Sequence, residues 1–125
     1  MDFDNAPRTS PFPPPQPAAL TMANVQVAAL DDIAVGRNRA FDIGGRSILI
    51  ARTSHGVFAV ENQCSHALQA LEGGKMKAVH IFCPLHGVRF DLRDGSPTGN
   101  TTRMAIRTWP VTIEDGQILI AIDLP

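Results

Sequence analysis

The stretch from Cys64 to Gly87, CSHALQALEGGKMKAVHIFCPLHG, decides how the rest of the chain is read. It contains two short clusters of similar make-up, Cys64-Ser65-His66 and Cys83-Pro84-Leu85-His86-Gly87, which hold both cysteines of the chain and two of its four histidines. Each cluster offers one soft thiolate and one imidazole, and sixteen residues, Ala67 to Phe82, separate them. Four such donors on two loops that follow predicted strands form a metal site once a hairpin brings the loops face to face. Pro84 removes a backbone donor and stiffens the second loop, while Gly87 permits a tight turn beside a bound ion. A Cys2His2 set also describes a structural zinc site. Zinc modules, however, usually place like ligands in one knuckle, whereas both loops here are mixed. A cysteine nucleophile is less favoured again, because neither thiol lies in a nucleophile signature and both are accounted for as ligands.

Outward from these loops the pattern is that of short strands divided by turn signals. Asn24–Ala28 comes first, followed by Arg39–Ile43 and Arg46–Arg52 around Gly44-Gly45, and by Val57–Glu61 after His55-Gly56. Ala78–Phe82 and Val88–Leu92 flank the second cysteine cluster. At the end of the chain Val111, Ile113, Ile118, Ile120 and Ile122 keep a period of two around Asp115-Gly116, a dipeptide suited to the positive φ of a hairpin turn. The fold class is therefore all-β, with at most one helical turn, at Ala67–Glu72. Six of the ten prolines fall between Pro7 and Pro17, so residues 1–22 read as a disordered proline-rich tail and residues 23–125 as one domain.

In its paired loops the chain resembles the Rieske iron-sulfur family, whose loops read C-x-H and C-x-x-H at about this separation. The resemblance extends to Gly56-Val57-Phe58-Ala59-Val60-Glu61-Asn62-Gln63 before the first loop, to Val88-Arg89-Phe90-Asp91-Leu92 and Arg93-Asp94-Gly95 after the second, and to the terminal hairpin. It covers roughly residues 24 to 122. It implies an antiparallel β-sandwich or barrel base carrying a small cluster-binding subdomain at about residues 62–91. It also implies one 2Fe-2S cluster, with Cys64 and Cys83 on one iron and the δ nitrogens of His66 and His86 on the other. Leu68 and Leu85, with Pro84 and Gly87, are the expected shielding or docking residues around it.

Two thiolates and two neutral imidazoles make the oxidised centre formally neutral, where four thiolates would make it a dianion, so an electron enters more easily. Respiratory members of the family add a loop disulfide and hydroxyl donors. Here Gln69 and Leu85 stand where those cysteines would be, Val88 follows Gly87, and the chain has no Tyr. Fewer hydrogen bonds to sulfur place the expected potential near the bottom of the roughly −150 to +300 mV range of such centres.

The composition excludes other classes. The 125 residues are 44% hydrophobic and 18% charged, and 11 Lys+Arg against 12 Asp+Glu give a net charge of −1. Neither a nucleic-acid nor a membrane partner is indicated by charges so scattered and balanced. Arg89, Arg93 and Arg103 could steer a partner, but charges so scattered usually form a solvated surface. No apolar run approaches a spanning helix, and the proline-rich start lacks the marks of an export signal, so the expected location is the cytoplasm. His55 reads as a turn residue and His80 as a strand residue, leaving no second metal site of the kind an oxygenase needs. Trp109 reads as core.

Resemblance to the ferredoxins associated with ring-hydroxylating dioxygenases implies a monomeric electron carrier, with no catalysis of its own. Its implied partners are an NAD(P)H-dependent flavin reductase and a Rieske-type terminal oxygenase acting on aromatic compounds. A non-catalytic small subunit of a larger nitrite-reductase-type enzyme is the alternative, disfavoured by the complete ligand set.

Overall fold

The computed structural model describes residues 21–65, 69–84, 88–98 and 104–124. Among these are eleven strands: β1 (Thr21–Ala29), β2 (Arg37–Ile43), β3 (Arg46–Thr53), β4 (Gly56–Glu61), β5 (Met76–Lys77), β6 (His80–Phe82), β7 (Arg89–Asp91), β8 (Pro97–Thr98), β9 (Thr108–Trp109), β10 (Val111–Glu114) and β11 (Gln117–Leu124). They form three antiparallel sheets, in the orders β9-β4-β3-β2, β10-β11-β1 and β5-β6-β7-β8.

Strand β3 explains the architecture. Its residues Ile48, Leu49, Ile50 and Ala51 are all fully buried, an apolar run where a one-sided strand would alternate. Successive side chains of a strand point to opposite faces. Ile48 and Ile50 pack with Ala59, Trp109, Ile118, Ile120 and Ile122 towards the three-stranded sheet. Leu49 and Ala51 join Val60, Leu71, Ile81, Phe90, Leu92 and both cysteines in a second core. The β9-β4-β3-β2 sheet is thus the shared wall between a sandwich base and the cysteine-bearing end.

The terminal hairpin has the predicted register, Val111 opposite Ile120 and Ile113 opposite Ile118, and its turn residues Asp115 and Gly116 both have positive φ. Strand β1 begins at Thr21, two residues before the expected domain start, and pairs with the length of β11 across an irregularity at Ile118/Leu119. The proposed tail otherwise lies outside the described residues.

Other differences are local. A short 3-10 turn at Leu30–Asp32 carries no apolar period and was not expected. At the anticipated helical turn Ala67–Glu72, Ala67 and Leu68 lie outside the described residues, and Gln69–Glu72 is not helical. The expected strand Ala78–Phe82 is shortened to His80–Phe82, because Ala78, with φ 54°, forms the turn from β5. Two-residue strands β5, β8 and β9 were missed because a period of two has no length in which to show itself. The third sheet continues to Thr98, seven residues past the expected limit of the cluster-binding subdomain at Asp91.

Candidate metal centre

Cys64 follows β4 and Cys83 follows β6. Both are 2% exposed or less, they belong to one apolar core, and no disulfide joins them. Each opens a loop closed in the same way. The Cys64 N–H donates to the Gln69 carbonyl at 2.8 Å, and the Cys83 N–H donates to the Val88 carbonyl at 2.7 Å, five residues on in both cases. These bonds pinch the base of each loop and leave both sulfur atoms in a nearly dry apolar setting. His66, Leu68, Leu85, His86 and Gly87 lie between the pinched ends and outside the described residues. Pro84 is exposed beside Cys83. A pair of buried, unbridged soft donors on matched loops fits a thiophilic metal or iron-sulfur group.

Two asparagines that the sequence reading passed over hold the first loop to the wall. Asn62 lies two residues before Cys64; its Oδ1 accepts from the Leu71 and Glu72 amides at 3.0 and 2.9 Å, and its Nδ2 donates to Ser47 Oγ at 3.0 Å. Asn38, on β2, accepts from the Gly73 amide at 2.8 Å and donates to the Gly74 carbonyl at 3.0 Å. The Glu72 carboxylate in turn accepts the Ala40 amide at 2.8 Å. A Cβ on Gly74 would strike the Phe82 carbonyl, one residue before Cys83, so this turn is also the spacer between the loops. Gly73-Gly74 in the sequence was the available signal for a close backbone approach.

Ser65, next to Cys64, donates its hydroxyl to the Met104 carbonyl and so ties the first loop to the segment entering β9. After the second loop, Asp91 is held by Arg93 through bonds of 3.0 and 2.7 Å. Arg93 hydrogen bonding, foremost, takes the Asp91 carboxyl down to about 2, well below the usual carboxylate range. Asp94 is likewise lowered, chiefly by hydrogen bonds from the Ser96 hydroxyl and amide.

The remaining sequence expectations are placed as follows. His55 is in the β3–β4 turn and His80 is in β6. Among the described residues no group of three or more metal-ligating side chains comes together. Trp109 is 7% exposed in the base core, with the Arg107 guanidinium 5.2 Å from its ring centre. Arg103 lies outside the described residues, and Arg93 is engaged with Asp91.

Residues 23–110 match the family model of the Rieske [2Fe-2S] domain. The chain belongs to the Rieske family. Among Rieske relatives, the ferredoxin component of the p-cumate 2,3-dioxygenase system of Pseudomonas putida is 32% identical over 100 residues, which are 78% of this chain and 85% of that one. The solved ferredoxin of carbazole 1,9a-dioxygenase from Nocardioides aromaticivorans is 38% identical, with a TM-score of 0.75 over 79% of this Rieske chain and 97% of that ferredoxin. A complex of reduced oxygenase and oxidised ferredoxin in carbazole 1,9a-dioxygenase shares the fold, at 24% identity and a TM-score of 0.72 over 78% and 92% of the two chains. The Rieske assignment also names the group that the two buried thiols suit, a 2Fe-2S cluster.

Proposed function

We propose that this Rieske protein is a one-electron carrier, the ferredoxin component of an aromatic-ring-hydroxylating dioxygenase system. It receives electrons from an NAD(P)H-dependent flavin reductase, passes them to a Rieske-type terminal oxygenase, and works as a monomer in the cytoplasm. The carrying observation is the matched pair of buried, unbridged cysteines at the mouths of two pinched loops, on a chain whose match spans nearly the whole of a dioxygenase ferredoxin. No helix among the described residues is long and apolar enough to cross a membrane.

Cys64 and Cys83 would hold one iron of the cluster, and the δ nitrogens of His66 and His86 the other. When bound, the cluster supplies a reversible one-electron couple. The protein's own part is to keep the thiolates dry and to hold the spacing of the loops. In this reading a docking partner meets the imidazoles of His66 and His86 and the flanking Leu68, Pro84, Leu85 and Gly87.

The test is EPR of the dithionite-reduced protein with metal counted on the same sample, followed by electron transfer among the host's reductase, this protein and the host's oxygenase. A rhombic signal with two irons per chain, and transfer that needs this protein, are expected. An EPR-silent protein with stoichiometric zinc overturns the cluster, and equally fast transfer without the protein overturns the carrier role.

A further inference from the structure

The outer face of the third sheet carries cations that the scattered sequence pattern hides. Lys77 stands opposite His80, Phe82 opposite Arg89, and His80 opposite Asp91. Directly opposed residues share a sheet face, and His80 and Phe82, two apart, share it too. Lys77, His80, Phe82, Arg89 and Asp91 therefore line one face, while Met76, Ile81 and Phe90 turn to the cysteine core. Lys77, Ala78, His80, Phe82 and Arg89 enclose a hollow of about 190 Å³. On the other side of Phe82, a hollow of about 410 Å³ runs past Gly74 and Lys75 to Cys83 and Pro84.

The charge of this strip is one-sided. No carboxylate lines either hollow. Asp91, the one acid on the face, is nearly buried and clasped by Arg93 at 2.7 Å. Glu72 is turned to the Ala40 amide and Asp94 to Ser96. Lys75, Lys77 and Arg89 make no salt bridge among the described residues, whereas Arg46 and Arg107 of the base are both paired with Asp123. Asp31, Asp32, Glu114 and Asp115 gather elsewhere, where the 3-10 turn meets the hairpin turn through the Leu30 N–H to Gly116 carbonyl bond of 2.8 Å. Arg37, Arg39 and Arg52 also lack a salt bridge among the described residues, so what distinguishes this strip is that three such cations, with no carboxylate lining the hollows between them, surround a half-buried Phe82 beside the second cysteine loop.

We infer that Lys75, Lys77 and Arg89, around Phe82, form a docking strip for the electron-accepting protein, which meets it with a carboxylate-bearing rim around a small apolar patch. This inference rests on the carrier reading. Charge complementarity at the rim of a small electron-transfer interface steers the encounter and sets its rate, while the apolar contact excludes water. Unpaired lysines and arginines suit this task because their charge is not already spent within the chain.

The experiment compares wild-type holoprotein with a Lys77→Glu/Arg89→Glu variant, mixing each in reduced form with the host's terminal oxygenase over a range of salt. The wild-type rate should fall with added salt. The variant should be slower by roughly tenfold at low salt and should lose that salt dependence, with cluster content and EPR line shape unchanged. A neutral Lys77→Gln/Arg89→Gln pair should lie between them, and it stands in if charge reversal prevents folding. Wild type and variant that transfer equally fast overturn the docking strip alone. A wild type that delivers no electrons to the oxygenase overturns the carrier reading and the strip with it. Retention of wild type, but not variant, on duplex DNA or anionic phospholipid vesicles at about 0.15 M salt, tighter than on the oxygenase, overturns a protein partner as the occupant.

Discussion

The base and the cysteine end share one wall but are filled differently. Behind Ile48 and Ile50 the base closes on Ile118, Ile120, Ile122 and Trp109, branched and aromatic side chains that complete a core by themselves. Behind Leu49 and Ala51 the other end closes on Leu71, Ile81, Phe90 and the two thiols, over a sheet whose strands are two or three residues long. The base is held by its own packing. The cysteine end relies on side-chain staples from Asn38 and Asn62 and on an ion pair at Asp91, around two buried thiols. The difference teaches that the base completes its core with apolar side chains alone, and it predicts that ligand binding and folding are coupled only at the cysteine end.

Removing the metal is the sharpest way to break that comparison. In chelated apoprotein, or in Cys64→Ser, amide exchange in Gly74–Asp91 should rise by roughly a hundredfold or more while the β1 and β11 amides keep their protection, read by exchange mass spectrometry. Simultaneous loss of both regions would mean that the base does not stand alone.

A smaller effect is expected from Asn62→Ala, which orphans the Leu71 and Glu72 amides. It should cost roughly 1–3 kcal/mol in denaturant unfolding and shorten the lifetime of the cluster, with the β1–β11 amides unaffected. A variant with wild-type stability and cluster lifetime would remove Asn62 from the set of staples.

The smallest effect concerns Asp91. Because its folded pKa, about 2, lies below the ordinary value of 3.8, its contribution is complete above pH 4 and is lost as the pH falls through about 2. With Arg93 largely in solvent, screening holds this to about 1 kcal/mol. In the apoprotein, where cluster loss in acid does not intrude, Asp91→Asn should flatten the acid limb of stability by that amount. An unchanged limb would show that the ion pair adds nothing to the cysteine end.

Legibility in the sequence followed length and period. The terminal hairpin could be read residue by residue, because five apolar positions alternate around Asp115-Gly116 and only one register sets them on one face, although Ile113 beside the turn stays exposed. Strand β3 could be located, yet its run of four buried residues does not say that it faces two cores. The cysteines could be singled out as candidate ligands because mixed Cys/His loops are a distinctive pattern. The staples could not, because an asparagine becomes an acceptor for amides nine and ten residues later only after the chain has turned back. Arg89 and Arg93 look alike in sequence; strand pairing sets one on an open face and a carboxylate claims the other.

The sequence by itself determined the all-β class and the terminal register and marked the two Cys/His loops on which the proposal rests, since each is written in spacing and side-chain chemistry within a few neighbours. Only the tertiary structure decided that one sheet serves two cores, that Asn38 and Asn62 fasten the first loop, and that Lys75, Lys77 and Arg89 line up unpaired beside Cys83. These depend on which distant residues share a face or a hydrogen bond, and that is settled by packing whole sheets against one another.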